Sequence, residues 1–574
     1  MYRRNQRHLQ PPLVSNVQDL PSKHRERLEA SWAGAFYREC FCRIHEEAFS
    51  VLYVDFPSRP NTPVNVLVGL ELLKAGFGWS DEELYDAFTF NVQVRYALGY
   101  HNLGEGDFDL RTVYHFRQRL ACYHQEHGVN LLDEAFQMIT DEQLKAFGVR
   151  TGYQRLDSTQ IASNIRDVSR LQLAVEAIQR LYRLLDEGER AAYAASLAPF
   201  VERPSGQYAY RVKGQEATRH HLQKVGVALH QLLTEMAPKY QGELAYQVAQ
   251  RFFDENYRVE QRQIVARLNK ELPSGCLQSL DDREATYRQK ANRVYKGYVA
   301  SASETCDPEN GLQLITQVQV APNNVQDTDL LRAGLPSLKA RTGVEMIITD
   351  AGYTGPEVDE VLRAQHVVQV PTDMLGREPT PDRFGLIDFA IATDAEGTPQ
   401  RITCPGGQTV PLDRTRTQRF AAAWDSAVCR ACPWYAEGRC HGRFAKRDAC
   451  FHLTFSIQEY RRAERRRRCL AERQAPKHLR PAVEATMRSM KHQFPASKLP
   501  VRGLFRVTCM VIAAAAMVNV RRITRFACAS RSPQTGPTAP VGQEAVETWA
   551  VSFISALIHA PRGLLMPARA CFGC

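Results

Sequence analysis

With 574 residues the chain has room for two to four domains with sizeable cores, at about 100–200 residues each. Its 44% hydrophobic and 24% charged residues are those of an ordinary soluble globular protein, and a net charge of +10 favours a polyanionic partner. Fifteen cysteines behind an N-terminus without an apolar signal core point to thiols or bound metal, and away from a disulfide framework.

Residues 1–48 form a basic lead-in with one helix, in which Cys40 and Cys42 read as ordinary thiols. Residues 49–145 read as a helical domain. A breaker-rich turn at 58–64 precedes an amphipathic helix at 64–77, and Ser80 with Glu83 offers a capping box for the next. A third helix begins near Asn91, and a fourth, near Leu110, carries Thr112, His115, Arg117 and Arg119. Short helices with tight turns suit a helix-turn-helix DNA reader, or equally a structural bundle.

The first part of a core is expected at 149–371. Residues 153–161 have strand character and contain Asp157; residues 344–353 form a buried strand ending on Asp350, with a turn at Gly352. Between them the chain turns helical over 165–280, an insertion in the sheet with apolar stripes at Leu171–Leu185 and Leu222–Met236. Adjacent histidines, His220 and His221, point to different faces and suggest no metal. Asp281 and Asp282, in a charged segment, are weaker rivals to Asp157. Strands at 296–303, 312–320 and 367–370 complete a mixed five-stranded sheet with flanking helices.

Residues 372–455 are a Cys-rich insertion. A Cys-x2-Cys pair with further Cys downstream fits a tetrahedral zinc site, with Cys404, Cys429, Cys432 and Cys440 as preferred ligands. Cys450 or His452 could replace one of them, and reduced thiols without metal are the alternative. Trp424, Trp434 and Tyr435 are either core or stacking surfaces for an unpaired base.

The chain returns to the core at 456–528. A basic run with Arg461, Arg462 and Arg465 reads as a phosphate-backbone contact. The following helix, 479–491, places Leu479, Val483, Met487 and Met490 on one stripe, and Arg480, Glu484, Arg488 and Lys491 on a neighbouring face. Alone, such a face is a solvated ion-pair ladder. The apolar run 507–520 is too short to span a membrane and reads as a buried core helix. Residues 529–574 are a variable tail, with one amphipathic helix at 546–559 and incidental thiols at Cys571 and Cys574.

Two strand-borne aspartates and a helix-borne glutamate make the layout of a two-metal phosphoryl-transfer site. The set resembles the bacterial insertion-sequence transposases of the DDE type. Their late motif, Tyr, two residues, Arg, three residues, Glu, six residues, Lys, is matched by Arg480, Glu484 and Lys491, with Lys477 at the tyrosine position. Asp350, Gly352 and Tyr353 match the second-aspartate motif, and Asp157-Ser158 the first. The resemblance covers roughly residues 40 to 527.

The resemblance implies an α/β, ribonuclease-H-like catalytic core behind a helical DNA-binding domain. Asp157, Asp350 and Glu484 would hold two Mg²⁺ ions, with Mn²⁺ as a substitute. Arg480, Lys491 and Tyr353 would contact phosphate. Double-stranded DNA would be the partner, as terminal repeats and as target, with a homodimer assembling on it in the bacterial cytoplasm at the nucleoid and no membrane involved. Two alternatives stay open: a related metal-dependent nuclease that cuts without joining, and an inactive DNA-binding relic.

Overall fold

The computed structural model describes residues 2–531 apart from 11, 13, 55–59, 262, 291, 375–381, 395, 441–442, 446–449 and 475–478. Lys477, His441 and the tail helix expected at 546–559 lie outside the described residues.

Apolar residues at helical spacing between good caps make the N-terminal region helical. It runs α1 (Ser22–Ala30), α2 (Trp32–Glu39), α3 (Val64–Phe77), α4 (Asp81–Phe90), α5 (Val92–Ala97), α6 (Leu110–His127) and α7 (Leu131–Ala146). Ser80 and Glu83 form the expected capping box on α4. Asn91, Asp109 and Asn130 cap α5, α6 and α7 through their side-chain oxygens.

Strand β1 (Tyr153–Ile161) opens the central sheet. The expected insertion follows as α8 (Arg170–Leu184), α9 (Glu187–Val201), α10 (Ser205–Arg211), α11 (Gln215–Tyr240) and α12 (Leu244–Asn256). It closes with a hairpin of β2 (Tyr257–Glu260) and β3 (Gln263–Ala266) and has a hydrophobic core of its own. The sheet resumes with β4 (Thr286–Lys290), β5 (Arg293–Thr305) and β6 (Ile315–Pro322). Helix α13 (Asp327–Thr342), β7 (Met346–Thr349), α14 (Pro356–Ala364) and β8 (Val368–Pro371) complete it.

The sheet has six strands in the order β4-β5-β1-β7-β8, with β6 also paired to β5. The sequence predicts five. The sixth, β4, belongs to the charged segment, and as an edge strand it pairs only with the first residues of the long β5. β1 is antiparallel to β5 and parallel to β7, and β7 is parallel to β8. Alternation along β1 sends Leu156 to one face, where it meets α13 and α14. Arg155, Asp157 and Thr159 go to the other.

The Cys-rich insertion contains β9 (Ala390–Thr393), β10 (Pro399–Thr403), β11 (Thr409–Pro411), β12 (Asp413–Arg414) and β13 (Phe420–Asp425). It continues with α15 (Ser426–Arg430), α16 (Pro433–Ala436), β14 (Arg443–Ala445) and β15 (Cys450–Phe455). These strands form two small sheets around Phe389, Ile402, Phe420, Trp424 and Phe455. Three helices end the described chain: α17 (Ile457–Gln474), α18 (Pro481–Ser489) and α19 (Leu504–Arg531).

Helix α3 is not amphipathic in its setting but buried on nearly every side. The reason is α19, which crosses it so closely that a Cβ on Gly76 would stand 2.4 Å from Met517 Cγ. One core joins α3, α6 and α7 to α18 and α19. Helix α19 is long and apolar enough to cross a membrane by composition, but 67% of its most apolar window is buried inside the protein. Residues Met1–Thr524 make one compact unit, and Arg525–Cys574 are assigned to a second.

Candidate active site

The parallel register of β1 and β7 brings the two aspartates together. Arg155 lies opposite Ile348, so two residues further along each strand stand Asp157 and Asp350. There β7 has ended, leaving both carboxyl groups at the carboxyl-end rim of the sheet. Asp157 is largely buried and Oδ1 accepts a 2.8 Å hydrogen bond from the Ser158 amide. Burial raises its pKa, as do the Asp350 and Glu484 charges, against the pull of the Ser158 amide and Arg480. Asp350 caps a short turn by accepting from the Gly352 amide at 2.8 Å. A Cβ on Gly352 would stand 3.0 Å from Asp350 Oδ1 and 3.4 Å from Asp327 Oδ2, so glycine is what lets the turn close on these oxygens.

Glu484 comes from α18, which packs along β1. Pro481 starts that helix without sacrificing a bonded N–H, and Glu484 in the first turn meets the positive end of the helix dipole. Its side chain is 62% exposed, open to a ligand. One guanidinium links all three acids: Arg480 is 3.1 Å from Glu484, 3.5 Å from Asp157 and 3.9 Å from Asp350. Three carboxylates thus face one cation, an excess of negative charge. Beyond them, Lys491 Nζ donates to Thr159 Oγ1 at 2.6 Å, and burial lowers its pKa.

Among the described residues no three His, Cys, Asp or Glu side chains stand in a grouping ready to hold a metal ion. The donor chemistry of the rim still suits a hard divalent cation, since carboxylate oxygens dominate it and a cationic group already occupies their centre.

Two expected phosphate contacts are corrected. Tyr353 is fully buried with its hydroxyl 3.4 Å from Ser301 Oγ, and burial pushes its pKa up. It supports the Asp350 turn from below and offers no surface to phosphate. Arg465 is only 8% exposed and paired with Asp359 of α14. Its charge is spent inside the protein, because α17 lies against the β8 side of the sheet. Arg461 is half-buried and Arg462 exposed on the same helix.

Asp282 is buried, accepting from Ser163 and Tyr298, while Asp281 pairs with Arg180. Both are committed elsewhere. Asp327 joins the rim without a sequence signal, its Oδ1 accepting from Ser158 Oγ at 2.8 Å, and Glu304 lies behind it, opposite Arg155. For Glu304 a clue existed, a lone acid ending the small and apolar run 299–303.

In the insertion, Cys404, Cys429, Cys432 and Cys440 line one apolar cavity of about 570 Å³. Cys404 precedes a turn in which Gly407 donates to its carbonyl; the Cys432 amide donates to the Cys429 carbonyl in a second turn. A Cβ on Gly406 would lie 3.1 Å from Cys432 Sγ and 3.7 Å from Cys404 Sγ. Burial, then the Cys440, Cys404 and Cys432 charges, push the Cys429 thiol up to about 11. Trp424 is core, with Nε1 donating to the Gln408 carbonyl at 3.2 Å, so it is no platform for a base. Trp434 packs edge-on against Phe384, and Tyr435 is exposed.

Comparison with protein families matches residues 403–524 to a transposase DDE domain, a span holding the Cys-rich turns, Arg480, Glu484 and Lys491. Neither the curated proteins nor the solved structures gave a match. Residues 403–524, which complete the carboxylate rim with Glu484, are thus similar to a transposase DDE domain.

Proposed function

We propose that the protein is the DNA transposase of an insertion sequence, binding the element's double-stranded terminal repeats and catalysing metal-dependent strand cleavage and strand transfer. The observation that supports this most is Arg480 set among Asp157, Asp350 and Glu484, on two neighbouring strands and the helix packed on them. The mixed sheet carrying these acids supports a ribonuclease-H-like reading of the core. Asp157, Asp350 and Glu484 would hold two Mg²⁺ ions, with Mn²⁺ as a substitute; such ions activate the attacking oxygen and steady the leaving one.

The chain's own groups then have defined tasks. Arg480 neutralises the acids while the site is at rest and turns to a non-bridging phosphate oxygen when DNA arrives. Lys491, held by Thr159, keeps a cation near the neighbouring phosphate. Arg461 and Arg462 supply backbone contacts further out. DNA-end joining calls for two ends in one complex, so a homodimer forms on DNA at the nucleoid. Cys404, Cys429, Cys432 and Cys440 would hold a zinc ion, whose chemistry with four thiolates would be structural.

The test is cleavage of a labelled duplex carrying the terminal repeat, with Mg²⁺, comparing wild type with Glu484→Gln. Cutting at the repeat boundary that vanishes in the variant, followed by joining of the freed 3′ end to target DNA, is the expected result. Cutting without joining would make the protein a nuclease. Binding without cutting by either protein would make it a relic. Equal cutting by both would overturn the role of Glu484.

A further inference from the structure

We propose that Glu304 is the positioning residue that locks the Glu484 helix against the Asp157 strand. The inference rests on the metal-binding reading of the three carboxylates given above. Glu304, the last residue but one of β5, lies opposite Arg155 of β1 and is wholly buried, 0% exposed. Its Oε1 accepts from Arg155 Nε at 2.6 Å; Oε2 accepts from Thr486 Oγ1 and from Arg522 Nη1, each at 2.7 Å. Arg155 also donates to the Leu479 carbonyl, and Arg522 to Thr486 Oγ1. One carboxylate therefore ties together β1, β5, α18 and α19.

The tie bears on the metal ligands through spacing. Arg155 and Asp157 are two apart on a strand, so they share a face. Thr486 is two residues after Glu484, about 200° around a helix of 3.6 residues per turn, so its inward bond fixes the rotation at which Glu484 faces out. Leu479, held by Arg155, immediately precedes Arg480. Both the approach to α18 and its inner face are thus fixed to the strand that carries Asp157. Two guanidiniums around one acid leave a buried positive excess, and removing Glu304 would leave both unpaired.

The test is Mn²⁺ binding to the full-length protein, followed by electron paramagnetic resonance, with Asp157→Asn marking the site. Thr486→Val keeps size and burial while deleting the hydroxyl; Thr486→Ser restores it. Thr486→Val is expected to fold and to bind duplex DNA normally but to weaken the Asp157-dependent Mn²⁺ site by about tenfold, the scale on which outer partners of metal ligands act. Thr486→Ser should return the affinity to that of wild type, and Glu304→Gln should exceed the valine effect. Unchanged Mn²⁺ affinity in folded Thr486→Val would reduce the cluster to a structural ion pair and overturn the proposal. If the wild type has no Mn²⁺ site that Asp157→Asn abolishes, the carboxylate reading falls and takes this one with it.

Discussion

Replacing Arg465 by methionine separates a buried ion pair from a DNA contact. Arg465 is 9% exposed at its side chain and Asp359 11%, so the variant strands a carboxylate away from water. Breaking such a pair from one side costs about 3–5 kcal/mol. With a urea slope of about 3 kcal/mol per molar, the unfolding midpoint of the core should fall by about 1–2 M. The double variant Arg465→Met with Asp359→Leu removes both charges and should recover most of that loss. Duplex binding across a salt series reads the other role, because each lost phosphate contact flattens the log–log slope by about 0.9. Arg465→Met should leave that slope unchanged, while Arg462→Ala should flatten it. An Arg465→Met protein as stable as wild type, with a flattened slope, would refute the burial argument.

At Asp157 the folded pKa is raised, so its ionisation opposes folding: the stabilising contribution is full below the unfolded pKa and is lost as pH rises through the folded one. Asp157→Asn should therefore stabilise the metal-free protein at pH 7 by thermal melting while abolishing cleavage, and wild-type cleavage should fail on acidification above the ordinary aspartate range. Gly352→Ala must push a Cβ against Asp350 Oδ1, at 3.0 Å, and should cost about 1–3 kcal/mol in urea unfolding together with most of the cleavage rate. Purified protein should carry one zinc by elemental analysis, reduced in Cys432→Ser, with chelation lowering the melting temperature of the insertion and leaving the central sheet intact.

The strand before Asp350 was legible because it is a short apolar run that ends on an acid beside small residues, and the strand holding Asp157 because a run of strand character follows the turn-prone Thr151-Gly152. The helix of Glu484 was legible because its apolar stripe and charged face repeat at helical spacing, whereas the acid itself was singled out by the company of the two aspartates and by the resemblance. What escaped depends on partners remote in sequence. Arg465 finds Asp359 106 residues earlier, so a basic run that reads as a phosphate-backbone contact turns one of its charges inward. Tyr353 sits in a motif but under a turn, and only the fold of that turn tells its ring from a surface group. The periodicity of 64–77 suggested one dry face, since the helix that dries the rest is α19. Trp424, open to two readings, is core because β13 turns it towards Phe389.

The crossing of α3 with α19 has a consequence for synthesis. The N-terminal helices cannot finish burying their apolar surface until residues around Met517 leave the ribosome. At about 5–20 residues per second that wait is roughly 20–90 s. A nascent chain, or a product truncated before α19, therefore exposes the Gly76 side of α3 and offers it to chaperones and proteases. Emergence of α19 is what lets the N-terminal helices complete their core, so a product that stops before Met517 lacks the partner that covers Gly76.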